Sequence, residues 1–213
     1  MRVMWWWALT VVITLSLGGY AWASSPTEQL REYTDQVMKA LENPTLPASA
    51  RLEAVRAVAG QAFDVTETAK RALGLHWQPR TSAERGEFVQ LFRDLLERGY
   101  LSRIGEYGGE QIKYVSEKID GDHAVVRALI VTKKGTQVPV ESRLLQKADR
   151  WLIYDVLVEN VSLIASYRSQ FDRVIRTTSY EELVRRLKSH GTSRAEPASA
   201  PQIGPRLFSS RPR

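Results

Sequence analysis

An α+β fold is predicted by three observations. Apolar residues recur at helical spacing through the first half of the chain, and the pattern switches to period two after residue 110. Helical spacing then returns after residue 161. The expected architecture is a curved antiparallel sheet of about four strands, wrapped by N-terminal and C-terminal helices.

Each element has a local signature. Pro26 follows Ser25 at a first helical position, and Leu30, Tyr33, Val37 and Leu41 continue at helical spacing. Asn43-Pro44 stops that helix, and Pro47 opens a second carrying Leu52, Val55 and Val58. In "FDVTETAKRALGLHW", Asp64 and Glu67 have the spacing of a capping box, and Gly74 is placed to end the helix. Ser82 is expected to cap the next helix, where Phe88, Leu91, Phe92, Leu95 and Leu96 form one apolar stripe.

The strands are read in "QIKYVSEKID", "HAVVRALIVTK", "TQVPVESRLLQ" and "WLIYDVLVE". Asp120-Gly121, Lys134-Gly135 and Ala148-Asp149 supply the turns, so the sheet should be a meander. The third strand alternates Val138, Val140 and Leu144 with Pro139, Glu141 and Arg143, which leaves one face wet. The second and fourth are apolar in both phases, and such strands need covering on both sides. Two helices close the fold, Ser162 to about Thr177 and Ser179 to Ser189, the second capped by Ser179 with Glu182 at its third position.

Residues 1–23 have a different character. Arg2, the Trp5-Trp6-Trp7 run, an apolar stretch and Ala21-Trp22-Ala23 give the charged, apolar, small-x-small order of a cleavable secretory leader. Export is thus expected, and with no cysteine in the chain the fold must rest on its core alone. Residues 24–190 are long enough for one domain. Residues 191–213, rich in Pro, Ser and Arg, have too few apolar groups to offset their own ordering and read as a disordered tail. The chain carries a net charge of +6. Without Arg2 it has 29 basic against 24 acidic residues, and four of the basic ones lie in the tail. The folded part is nearly balanced, which is weak support for nucleic-acid binding despite a pI near 9.6. The tail would suit anionic membrane surfaces or simply solubility.

No catalytic constellation emerges. His76, His123 and His190 stand in separate contexts without metal-site spacing, and no nucleophile elbow or phosphate-cradling glycine loop is present. Gly105, Gly108 and Gly109 lead into a strand and read as a connecting loop. Asp155 and Glu159 are too far apart along a strand, more than ~10 Å, for joint acid–base work, and read as partners of arginines or caps. The residues therefore point away from an enzyme, and no metal or cofactor is implied.

Four blocks carry a resemblance: "FDVTETAKRALGLHW", "TSAERGEFVQLFRDLLERGYLSRI", "WLIYDVLVENVSLIASYRSQF" and "YEELVRRLKS". They resemble the MlaC-like, or toluene-tolerance auxiliary, family of periplasmic phospholipid-binding proteins that serve ABC-type lipid transport. The third block is long and specific, and departs from the family pattern where Asn160 replaces a usual glycine. Asn tolerates positive φ, so the corner should survive.

The resemblance implies an apolar cavity between sheet and helices that holds lipid acyl chains. It implies a monomeric periplasmic carrier, without cofactor or catalysis, that helps maintain membrane lipid asymmetry. Its partners would be a phospholipid ligand, an inner-membrane ABC lipid transporter complex and an outer-membrane lipoprotein complex. At about 0.8 kcal/mol per CH₂, exposing two acyl chains of ~15 methylenes would cost roughly 20 kcal/mol or more, so a carrier must shield them. The candidate wall residues are Val126, Ile130, Val138, Val140, Tyr154, Val156, Leu163 and Tyr167. Rival readings are a carrier of another amphiphile such as a hopanoid, a lipid-ester hydrolase on a cavity-bearing fold, and a structural partner tethered by an uncleaved N-terminus. Arg168, Ser169 and Gln170 are expected to face away from the apolar side of their helix and to pin it to the sheet, in preference to meeting a partner.

Overall fold

The computed structural model describes residues 24–100 and 109–192, with the side chains of 190–192 excepted. The leader at 1–23, Gly105 and Gly108 of the connecting loop, the His190 side chain and residues 193–213 lie outside the described residues.

α1 (Pro26–Leu41) begins where the sequence places it. The Ser25 side chain accepts from Glu28 N and Glu28 returns a bond to Ser25 N, closing a capping box with Pro26 in the first turn. α2 (Ala48–Ala62) packs back on α1, and Arg51 donates to Leu41 O across the hairpin at 3.2 Å. α3 (Val65–Leu73) is capped by the Asp64 side chain, which accepts from Glu67 N at 3.0 Å. The reciprocal bond of a capping box is absent, because Asp64 N donates to Ile153 O at 2.9 Å instead. Gly74, at φ +57°, ends α3 in a backbone conformation that L side chains rarely adopt, and a single 3₁₀ turn follows at Gly74–His76.

α4 (Ser82–Tyr100) corrects one expectation. Thr81, not Ser82, is the cap: its hydroxyl accepts from Glu84 N at 3.2 Å, and its own N–H donates to Glu84 Oε2 at 2.7 Å. The Thr-x-x-Glu spacing was in the sequence and sets the start one residue earlier.

The sheet has five antiparallel strands in chain order: β1 (Gln111–Asp120), β2 (His123–Val131), β3 (Gln137–Lys147), β4 (Arg150–Val158) and β5 (Val161–Ser162). The fifth is an addition to the expected four. It is created by a tight turn at Glu159 and Asn160, with φ of +50° and +65°, which folds two residues back on the end of β4. Asn160 tolerates the left-handed conformation that the resemblance assigns to glycine. Ser162 then caps α5 (Leu163–Thr177), and Ser179 caps α6 (Tyr180–Thr192) by accepting from Glu182 N at 3.2 Å.

Two apolar cores result. In the first, Phe88 and Phe92 of α4 meet Tyr167 and Phe171 of α5, with ring centroids 5.2–5.9 Å apart, and Tyr180, Leu183 and Leu187 of α6 complete it. The second joins Leu30 of α1 and Ala62 of α2 to Ala124, Val126, Leu144, Trp151 and Ile153 on one face of the sheet. The other face of β4 carries Asp155 and Leu157, both buried, at the start of α5. β4 is thus covered from both sides, as its two apolar phases require.

Three polar ties fix β4 among the helices. The Gln29 carbonyl accepts from Trp151 N at 2.7 Å, and Ile153 O accepts from Asp64 N. Asp155 accepts from Ser162 Oγ at 2.7 Å and from Ile164 N at 3.2 Å, and Arg143 lies 3.8 Å away. Asp155→Ala strands the buried Ile164 N–H and frees the Ser162 hydroxyl, so it should lower stability by about 2–3 kcal/mol in urea unfolding. Combined with Ser162→Ala, the loss should fall short of the sum of the two single losses, because both residues serve one network.

Candidate functional site

The register places one row of side chains from each strand on the face under α1 and α2. Opposite pairs are Ala124 and Leu144, Val126 and Ser142, Ala128 and Val140, and Ile130 and Val138. From β4, Val156 lies opposite Ser142 and Val158 opposite Val140, and from β1, Ile112 lies opposite Ile130 and Tyr114 opposite Ala128. Apart from Ser142 and the Tyr114 hydroxyl, this patch is apolar.

Its cover is uneven. Toward the β1–β2 and β3–β4 turns, Ala124, Val126, Leu144, Trp151 and Ile153 are buried against Leu30 and Ala62. That end is also tied down by polar contacts. Arg150 donates to Tyr33 Oη at 2.9 Å and to Gln61 O at 2.8 Å, while Thr27 N donates to Glu117 at 2.7 Å. Toward the opposite end, Ile112, Ala128, Ile130, Val140, Val156 and Val158 are only half-buried, although Val138 is fully covered. The later half of α1 shows the same loosening, with Val37, Met38 and Leu41 half-buried. Two helices and a sheet thus cover this apolar strip closely at one end and incompletely at the other, leaving a half-covered apolar slot on the side of the α1–α2 turn.

α4 flanks this half-covered end. Arg56 of α2 donates to Glu97 of α4 at 2.8 Å and to Glu53 at 2.6 Å, which draws the last turns of α4 alongside α2. On the β1 side, the Thr34 and Tyr114 hydroxyls are 2.9 Å apart and Arg31 stacks over the Tyr114 ring at 5.2 Å. Burial pushes the Tyr114 phenol above its ordinary pKa, so it remains a neutral hydrogen-bonding group at physiological pH.

Of the eight candidate wall residues, the structure brings five together: Val126, Ile130, Val138, Val140 and Val156 share the face described above. Tyr154 does not join them. A register shift between Arg143 and Leu144 makes Tyr154 a bulged residue, and its ring meets His123 at 6.1 Å and the Arg71 guanidinium at 4.0 Å, on the sheet's other side. Leu163 and Tyr167 belong to the helical core. Burial, with the Tyr100 hydroxyl next to it, pushes the Tyr167 phenol well above its ordinary pKa. The strand period carried the five, whereas nothing in the alternation marks the bulge that displaced Tyr154.

Sequence reasoning missed Gln29, whose bond to Trp151 N spans 122 positions and has no local signature. It also missed Lys147, the ion-pair partner of Asp64 across the sheet edge. The acidic pair read as arginine partners or caps divides as follows: Asp155 holds the start of α5, and Glu159 occupies the turn. Asp172 Oδ1 accepts from His76 Nε2 at 2.9 Å, and His123 Nδ1 lies 2.7 Å from Asp122 Oδ1. Among the described residues, no group of three or more His, Cys, Asp or Glu could hold a metal ion, and no helix is long and apolar enough to cross a membrane. Among the described residues, the slot offers mainly apolar surface.

Comparison with known proteins bears on this arrangement. A family described as MlaC protein matches residues 16–189. The chain is similar to the intermembrane phospholipid transport system binding protein MlaC of Haemophilus influenzae, with 22% identity over 124 residues, 55% of this chain and 58% of that protein. The alignment thus spans less than two thirds of that relative. Among solved structures, the chain is similar to the phospholipid-binding protein from Ralstonia solanacearum in complex with a phospholipid. The TM-score is 0.69 at 21% identity, covering 79% of this chain and 98% of that one, a likeness of fold.

The uneven cover has a measurable consequence. Val126→Trp overfills the tight end and should cost about 1–3 kcal/mol or more in chemical unfolding. Val140→Trp, at the loose end, should cost less than about 1 kcal/mol in the same assay, because Val140 is only half-buried.

Proposed function

Because the chain belongs to the MlaC family, we propose that it is a phospholipid carrier of the periplasm. The observation that carries this reading is the row of half-buried aliphatic side chains, Ile112, Ala128, Ile130, Val140, Val156 and Val158, on a sheet face that α1 and α2 close at one end only. A half-covered apolar face is costly in water and suits an apolar ligand that completes the cover. Acyl chains enter between the sheet and the α1–α2 hairpin, with Val126 at the deeper, tightly covered end. The head group stays at the half-covered end, in water.

The transport cycle needs no chemistry. Apolar contact with the slot replaces contact with the bilayer, and the carrier binds and releases lipid without breaking a bond. Residues 1–23 direct export and are removed, and the lipid passes between an inner-membrane ABC lipid transporter complex and an outer-membrane lipoprotein complex. Such a carrier maintains lipid asymmetry between membranes.

Native mass spectrometry of protein purified from cells, with lipid extraction from the same sample, tests the reading. The expected result is a mass increment that matches an extractable phospholipid. A ligand-free mass with no extractable lipid overturns it. Val140→Trp should remain folded and lose most of the co-purifying lipid, since the indole occupies the half-covered end of the slot.

A further inference from the structure

The 3₁₀ turn after α3 presents a side chain that neither core absorbs. Leu75 is 89% exposed, the most exposed large apolar residue among those described. Single exposed leucines are ordinary on protein surfaces, but this one is held in place on a braced turn. Gly74 turns the chain at φ +57°, and Trp77 N donates back to Gly74 O at 3.1 Å. The Trp77 ring is buried, and Arg85 donates to Trp77 O and Gln78 O at 3.2 and 2.9 Å. His76 is tied to Asp172 of α5 at 2.9 Å. A mobile loop could fold its leucine back; this turn keeps it in water.

The surroundings of Leu75 are cationic. Lys70 and Arg71 occupy the last turn of α3, and both pair with Glu67. Arg176 pairs with Asp172, which also holds His76. The Arg168 stem lies against Gly74, with its Cδ 3.0 Å from where a Cβ on that glycine would sit. Arg168 is exposed and, among the described residues, forms no ion pair. Lys70, Arg168 and Arg176 are exposed on the elements that meet at this turn, whereas Arg71 lies over the Tyr154 ring with its Nε buried.

We infer that the Leu75 turn and Arg168 form a contact site for an anionic membrane surface. A projecting leucine with an exposed arginine beside its turn has the chemistry of shallow interfacial insertion, in which the apolar tip enters the headgroup–acyl boundary and the cation meets lipid phosphates. One leucine and a few exposed cations give a weak, salt-sensitive and reversible contact. An exposed acidic protein would match the charge, but a convex, isolated apolar tip suits a soft surface better than a preformed pocket. The site stands apart from the lipid slot and does not require it.

Co-sedimentation of the purified protein with vesicles tests this. Binding is expected to vesicles of phosphatidylethanolamine with phosphatidylglycerol, to fall at high salt, and to be weak to phosphatidylcholine alone. Leu75→Ser and Arg168→Glu should each reduce it about tenfold. Both variants should keep the wild-type melting temperature and co-purifying lipid, which separates surface contact from slot occupancy. Ile119→Ser, an exposed apolar residue on β1, should leave binding unchanged. Equal binding to neutral vesicles, no binding to either kind, or undiminished binding by Leu75→Ser and Arg168→Glu overturns the inference.

Discussion

β4 must be dry on both faces, and each helix that dries it has to be tied to a strand whose backbone polar groups are already buried. Those ties are few and specific. Gln29 brings α1 to Trp151, Asp64 brings the start of α3 to Ile153, and Asp155 holds the first turn of α5. Each satisfies a buried N–H that would otherwise cost free energy. The same bonds fix the position of three helices, so the strand acts as the common reference for both cores.

The slot follows from where these ties are absent. Gln29, Tyr33, Gln61 and Asp64 all act near one end of the α1–α2 hairpin, and that is the end at which the sheet face is buried. Toward the hairpin turn the helices have fewer polar holds on the sheet, and aliphatic side chains are left half-covered. Ala128, Val140, Val156 and Val158 are the aliphatic side chains left half-buried there. The helical core is built differently, with Phe88 and Phe92 of α4 meeting Tyr167 and Phe171 of α5 edge to face.

Much of the architecture was legible because it is written locally. Ser25 with Glu28, Asp64 with Glu67, and Ser179 with Glu182 mark helix starts by the hydrogen bonds their side chains can reach within one turn. The β hairpins were legible for the same reason, since Gly121 and Gly135 supply positive φ where tight turns demand it. Five of the eight candidate wall residues fell on one face because strand alternation propagates across an antiparallel register. Tyr154 fell away at the bulge, a defect in pairing that depends on the partner strand. Arg168 was read as pinning its helix to the sheet; its stem packs instead against Gly74 at the end of α3, and the residue is exposed.

By itself the sequence determined the succession of helices and strands, their caps and turns, and the family resemblance carried by "WLIYDVLVENVSLIASYRSQF". These depend on contacts within a few residues, or on residue identities that can be compared directly. Only the tertiary structure decided which strand phase lies under α1 and α2, that Leu163 and Tyr167 join the helical core, and that burial fades along the sheet toward the α1–α2 turn. Those outcomes depend on bonds such as Gln29 to Trp151, between residues more than a hundred positions apart, and no local pattern encodes which pair will meet.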